Sequence, residues 1–400
     1  MVQQAASKIW KVDFTPEQLR QAQLPIKLGG CGLTSAEDTH TASWYAAQAA
    51  AAPFILQHFP DEGPPHRLSD TQSALEVLRE RHAPKHDQLP PNHLSALKWH
   101  TEHANFSLQT ELNSQLKQQA AATMIDESET DAEKARLHAV SASKAGLFLT
   151  TIPIFRSLAL DDNSFQLAIR LRLGVEPPGL PAYCPLCDSA TDLQLDPWHP
   201  LSCPSQRRKV IKRHNNVARE IQRWIHHLGG QARLEPLDLE DGSNRRPDLE
   251  ITIGGKSILL DVSIRNPACP ANASLGARGK LKVAAKAEAE KAKKYEEMAR
   301  QSEALFVPFI LETHGGFGDE ASAFIKQLVN DSSCLSHVWT PHEVVYGLQH
   351  AVAIALQRGS AEALTAIRSC KDRVTWSYPR RRFVARRRNN IRIITSSHDD

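Results

Sequence analysis

The sequence predicts an α+β, multidomain chain: a helical N-terminal half, a short cysteine–histidine cluster, and a mixed α/β domain behind it. Three observations carry this. At 400 residues the chain is long enough for two or three units of ~150 residues. Helix signals dominate up to residue 174, where Pro177, Pro178 and Pro181 stop them. Beyond residue 205 helices alternate with short strands, as in mixed α/β folds.

The elements follow in order. Residues 1–60 form a helical segment. Thr15-Pro16-Glu17-Gln18 is an N-cap with proline at the first helical position and a glutamine completing a capping box. Leu24-Pro-Ile-Lys-Leu-Gly-Gly-Cys-Gly-Leu33 breaks the helix, and an Ala-rich helix resumes from Ala36 to Gln57. Residues 61–134 are a linker and helical region: Pro-, His- and Asp-rich to about 91, helical over His93–Met124, then acidic over 126–133. Residues 135–181 hold a helix near Asn163–Leu173. The cluster occupies 182–204. Residues 205–335 give a helix at 206–228, strands near 232–235, 249–253 and 257–264, a charged helix at 278–300, a strand at 304–311 and a helix at 319–329. Residues 336–400 add a helix at 341–370 and a basic tail.

Hydrophobic residues make up 41% and charged residues 23% of the chain, enough to bury cores. No apolar run approaches the roughly 18 residues that span a bilayer, so no membrane partner is expected. The first 25 residues lack a signal layout, and the expected setting is intracellular. Net charge is +3, but unevenly spread. Arg207, Arg208, Lys209, Lys212 and Arg213 face no acid among 207–213, and 371–392 hold nine cations against Asp372. Such clusters suit a polyanion.

Cys184-Pro-Leu-Cys187 is followed by eleven residues, His199, three residues and Cys203. Two cysteines in a tight turn plus a distant His-x3-Cys pair make four N/S ligands, the full set of a structural Zn²⁺. The alternative is four unrelated residues. Cys31, Cys269, Cys334 and Cys370 have no such spacing and read as core thiols.

Arg246-Pro247-Asp248 leads into the strand Leu249–Ile253, and Gly254-Gly255 turns it into Ser257–Ile264. Partners in that hairpin sum to about 509, which sets Asp248 opposite Asp261. Two carboxylates so close repel unless a cation joins them, and Mg²⁺ is a common answer. The bland alternative is a solvated Asp248 and a backbone-bonded Asp261. Gly255-Lys256-Ser257 mimics the end of a phosphate-binding loop, but Glu250 stands where its first glycine belongs.

On the helix at 278–300, Ala284, Ala287, Lys291, Lys294, Tyr295 and Met298 share one stripe, with Lys282, Lys286 and Lys293 opposite. A lysine on the inward stripe wants an anion, unless it snorkels to water. In the helix at 214–228, Glu220 edges the apolar face and offers a further metal ligand or a surface acid. Arg213 and His214 at its start, like Arg246, are candidate phosphate contacts.

The order of a C-C-H-C cluster, a basic helix with Arg-His, Arg-Pro-Asp, twelve residues, Asp, and Lys-x-x-Lys-Tyr resembles the restriction-like endonuclease that ends the polyproteins of site-specific non-LTR retrotransposons. The glycine-rich stretch 24–33 is similar to that family's post-thumb segment. Residues 143–174, ending Arg170-Leu-Arg-Leu-Gly174, are similar to the segment before its zinc knuckle. The polymerase's paired aspartates are missing, so the chain looks like the C-terminal part of such an element.

The resemblance implies a PD-(D/E)xK restriction-endonuclease-like domain at 205–335 behind a CCHC zinc knuckle. In it Ser263 stands at the usual lysine position, and Lys291, Lys294 and Tyr295 act from the following helix. It implies a Mg²⁺-dependent DNA-nicking endonuclease, nuclear, with DNA and retrotransposon RNA as partners, Asp248 and Asp261 as metal ligands and Glu220 beside them. The alternative is a non-catalytic zinc-knuckle nucleic-acid-binding protein on a decayed nuclease fold.

Overall fold

The computed structural model describes residues 2–58, 73–74, 76–78, 108–187, 191–236, 246–330 and 340–370. The expected linker at 60–91 lies almost wholly outside them, as do residues 93–107 of the expected helix, Cys334 and the basic tail. Among the described residues, the α-helices of seven residues or more that precede the sheet are α1 (Val2–Trp10), α2 (Pro16–Ala22), α3 (Ala36–His58), α4 (Leu108–Asp126), α5 (Asp131–Val140), α6 (Asp162–Leu173) and α7 (Arg207–His227). Strands β1 (Gln231–Leu234), β2 (Leu249–Ile253) and β3 (Lys256–Arg265) follow. Then come α8 (Lys282–Gln301), β4 (Leu305–Glu312), α9 (Asp319–Asn330) and α10 (Pro341–Cys370). The chain is thus mixed helix and sheet, α+β in class.

Local chemistry sets several boundaries. The Thr15 hydroxyl accepts the Gln18 N–H, and the Gln18 side chain reciprocates at Thr15. Gly254 and Gly255 both take positive φ, 58° and 74°, as a two-residue hairpin turn requires.

The sheet runs β1-β2-β3-β4, antiparallel except for the parallel β3–β4 pair. Alternation splits its two faces. Ile258, Leu260 and Val262 of β3 join Val307, Phe309 and Leu311 of β4 in the main core under α7, α9 and α10. On the opposite face Leu259, Phe306 and Ile310 meet Tyr295, Met298, Ala284 and Ala287 of α8. That is four of the six residues expected on the inward stripe. Period two therefore aims Asp261 at α8 as well.

Helix α10 is central, which the division at 335/336 did not anticipate. Its residues Val344 to Leu356 lie in the main core, and Ala361 to Ile367 pack on α6 and the cysteine–histidine segment. The six-residue run Ala351–Leu356 is apolar on every side of the helix, and such a stretch must be buried. Each such Leu or Ile contributes roughly 1.5–3 kcal/mol.

Arg172 on α6 holds the N-terminal half together. Its guanidinium donates to the carbonyls of Gly30 (2.9 Å), Ile26 (2.6 Å) and Ala145 (3.3 Å), so the glycine-rich stretch wraps it. Gln21 Nε2 donates to Arg172 O at 2.9 Å. Burial lowers the Arg172 pKa to about 10, which leaves it charged at neutral pH. A Cβ on Gly30 would stand 2.0 Å from Leu24 O, so the loop needs glycine there. Arg172→Ala strips three carbonyls of a donor, each worth about 1–3 kcal/mol when orphaned. A large fall in urea midpoint is the expected result; an unchanged midpoint would refute the role.

Candidate active site and metal centre

Leu249 pairs with Leu260 and Ile251 with Ile258, the register that sums to 509. The ladder ends there; one step on, the same sum would set Asp248 opposite Asp261. Asp261 is buried, and the Lys291 ammonium of α8 donates to its Oδ2. Buried charges cost several kcal/mol each to desolvate and persist when paired. Asp248 takes over where β2 stops pairing: its Oδ2 accepts the Val262 N–H at 2.6 Å. His214 Nε2 lies 3.0 Å from that same oxygen and 3.0 Å from Val262 O. Both neighbours are acceptors, so Nε2 carries the proton. His214 Nδ1 meets Asn215 Oδ1 at 3.0 Å.

Burial by itself would lower the His214 pKa. The Asp248 hydrogen bond and charge outweigh it and raise the value to about 9. A base whose pKa rises on folding contributes stability that is full below its unfolded value, 6.5, and lost as pH climbs through 9. Thermal melting of the parent should therefore lose ground to His214→Gln between pH 7 and 10, by up to ~3 kcal/mol. A difference constant across that range would count against the ion pair.

Tyr295 stacks on Phe306 (4.8 Å between centroids), and its hydroxyl donates to Arg246 O at 2.9 Å. It thereby holds the segment that carries Asp248. Lys294 donates to the Tyr295 hydroxyl at 3.3 Å and lies 4.7 Å over its ring. Thus Lys291 meets an acid directly, whereas Lys294 is exposed and reaches the site through Tyr295.

Two expected residues belong elsewhere. Glu220 pairs with Arg223 and not with the aspartates; burial raises its pKa, and Arg223 and Arg358 oppose that. Arg213 is fully buried, not a phosphate contact. Its Nη2 donates to Leu201 O at 2.9 Å and its Nη1 to Ser360 Oγ at 3.3 Å, with burial lowering its pKa to about 10. The reason is spacing: Arg213 precedes Val217 by four, so the apolar stripe carries it inward. Lys212 pairs with Glu362 at 2.6 Å. Arg207, Arg208 and Arg246 are exposed and Lys209 is half-buried.

A cavity of about 220 Å³ beside Asp248 is lined by His214, Asn215, Ala218, Arg219, Leu234 and Glu235. Arg219, exposed one turn beyond Asn215 on α7, is a cation the sequence reading passed over; its i, i+4 spacing was the available signal.

The cysteine–histidine segment opens with a small antiparallel turn, in which Cys184 N donates to Thr191 O and Leu193 N to Ala182 O, both at 2.8 Å. Short 3₁₀ turns at His199–Leu201 and Pro204–Gln206 bring the second pair back. The ligand atoms of Cys184, Cys187, His199 and Cys203 all lie within 4.8 Å of one another. Among the described residues they are the one such group of three or more. Zn–S bonds of ~2.3 Å at tetrahedral angles put sulfurs about 3.8 Å apart and a sulfur–nitrogen pair about 3.6 Å apart. The observed values are 3.9 Å for Cys184–Cys203 and 3.4 Å for Cys187–His199 Nε2. A single zinc ion fits this set. Cys269 bonds instead to Asn266 O at 3.2 Å, and Cys31 is half-buried beside Arg172.

The sequence matches no protein-family model and no curated protein.

Proposed function

We propose that the chain is a Mg²⁺-dependent DNA-nicking endonuclease, with a PD-(D/E)xK restriction-endonuclease-like domain over the sheet and the CCHC zinc knuckle as a structural module. This makes it akin to the C-terminal region of a site-specific non-LTR retrotransposon polyprotein, acting in the nucleus on DNA and on retrotransposon RNA. The observation that carries the reading is the Asp261–Lys291 pair across β3 and α8, one residue along from the Val262 amide that binds Asp248.

The donor set suits magnesium, which takes one or two carboxylates and completes its shell with water and substrate phosphate. Asp248 and Asp261 would hold it, and when bound it supplies charge to polarise the phosphate and acidify a water. The chain's own residues do the rest. Lys291 stabilises charge growing on the phosphate oxygens as it swings from Asp261. Tyr295 fixes the Arg246–Asp248 segment, and Lys294 steadies Tyr295. His214 orients Asp248, which acts from a set position. Arg207, Arg208 and Lys209 dock the polyanion, with binding that falls as salt rises.

One observation favours the rival reading, a non-catalytic zinc-knuckle binder on a decayed nuclease fold: each acid already has a resident cation, His214 or Lys291. The test is supercoiled plasmid with and without Mg²⁺. Conversion to open circles only with the metal supports the nuclease. Plasmid retained by the protein yet left intact supports the binder.

A further inference from the structure

On the far end of α7 from the acids, a groove of about 560 Å³ runs between α7, α10 and residues 154–158. Its volume lies within the roughly 300–1,000 Å³ of ligand pockets. Rings dominate it. His342, Tyr346 and His350 follow one another a turn apart on α10. His350 stacks on Tyr346 at 3.8 Å, and His342 continues the pile at 6.2 Å with an interplanar angle of 23°. Trp224 and His227 of α7 form a second, edge-on pair at 5.8 Å. Phe155 and Ile154 stand over the opening, 58% and 67% exposed.

The rim is held at both ends. Tyr346 accepts the Ile152 N–H at 3.4 Å and donates to Thr150 O at 3.3 Å, while Arg358 donates to Ser157 O and Ala159 O at 3.2 and 2.7 Å. The groove is thus built before any ligand arrives.

Its charge says what enters. Arg223, paired with Glu220, lines it beside the His227 and His342 rings, and Arg156 is exposed next to Phe155. The one lining acid, Glu343, turns away to accept from Thr340 N and Oγ1, both at 2.8 Å. Helix α7, which supplies the floor, has seven Lys and Arg against one Glu. Apolar rings bordered by Arg156 and the basic helix α7 complement a base on a phosphate backbone, since every base offers a π-face. A paired base keeps its faces inside the stack. Trp224 and His227 lie ten and thirteen residues past His214 on α7, about 15–20 Å along the axis. At ~3.4 Å per step that is roughly four to six nucleotides.

We infer that this groove binds an unpaired nucleobase of a DNA strand, stacked on Phe155 against the Trp224 and His342 rings that line it, a few nucleotides from the acids. The inference rests on the nucleic-acid reading above and names the form of its substrate.

The test uses the full chain and a single-stranded DNA oligonucleotide carrying 2-aminopurine, beside the same probe as a duplex. The parent should quench the single strand and bind it more tightly than the duplex. Phe155→Ala should weaken single-strand binding about tenfold and leave duplex binding unchanged; the exposed ring makes the variant safe to fold. Single-strand affinity unaltered in Phe155→Ala overturns the inference. So does sedimentation showing self-association that vanishes in Phe155→Ala with DNA binding intact, which would make the groove a protein interface. Duplex binding without preference for the unpaired probe sinks this inference alone. A chain that binds no nucleic acid sinks it together with the functional reading.

Discussion

Asp261→Asn is expected to abolish Mg²⁺-dependent nicking of supercoiled plasmid, by about 10²–10³-fold or more, while the salt-dependent retention of DNA stays as in the parent. Asp261 lies on the α8 face of β3 at 3% exposure, with Lys291 as its partner. The amide keeps the shape and removes the charge. Stability must be followed in parallel, because the variant strands the Lys291 ammonium. Breaking one side of a buried pair costs about 3–5 kcal/mol. Lys291→Met should likewise destabilise and likewise silence nicking. The double variant Asp261→Asn/Lys291→Met should recover much of the stability and none of the activity. That contrast separates chemistry from folding. A folded Asp261→Asn protein nicking at the parental rate would remove Asp261 from the mechanism, and the nuclease proposal with it.

Much of this site was readable because the relevant periods are short. A two-residue Gly-Gly turn fixes the hairpin, the hairpin fixes the 509 register, and period two decides which face Asp261 takes. The wheel of α8 separated Tyr295 and Met298, now buried, from Lys282, Lys286 and Lys293, now exposed. It could not separate Lys291 from Lys294, since both sit at the stripe's edge and only one has an acid within reach. His214 was legible as a site residue but not as the partner of Asp248, because that contact joins positions 34 apart.

Arg213 was misassigned for a chemical reason. Charge argued for a polyanion while spacing placed it on the buried stripe, and spacing won because Leu201 O and Ser360 Oγ were there to accept. Glu220 is a similar case, since Arg223 one turn on neutralises it locally. The central place of α10 was hinted at by the apolar run Ala351–Leu356, yet what it packs on is long-range information that no local pattern holds.

Removing zinc is expected to damage more than a DNA grip. The chain should carry one zinc ion per molecule, and Cys203→Ser or a strong chelator should release it. Structural zinc is worth about 10–16 kcal/mol in small modules, comparable to or above the ~5–15 kcal/mol that hold a whole domain. The cysteine–histidine segment should therefore unfold as a unit. Its loss then travels along a defined chain of contacts. The His199–Leu201 turn supplies the carbonyl that Arg213 donates to, Arg213 is also tied to Ser360 of α10, and the next residue, His214, holds Asp248. With Leu201 O gone, the buried guanidinium is left with one weak partner, and the first turns of α7 have no reason to stay packed. DNA retention and nicking should fall together, and the imidazole signal of His214 should move from its raised pKa of about 9 toward the ordinary 6.5. If the cysteine–histidine segment is only an appended grip, zinc loss will weaken DNA retention while the His214 titration stays where it was. That single NMR titration tells the two architectures apart without reference to catalysis.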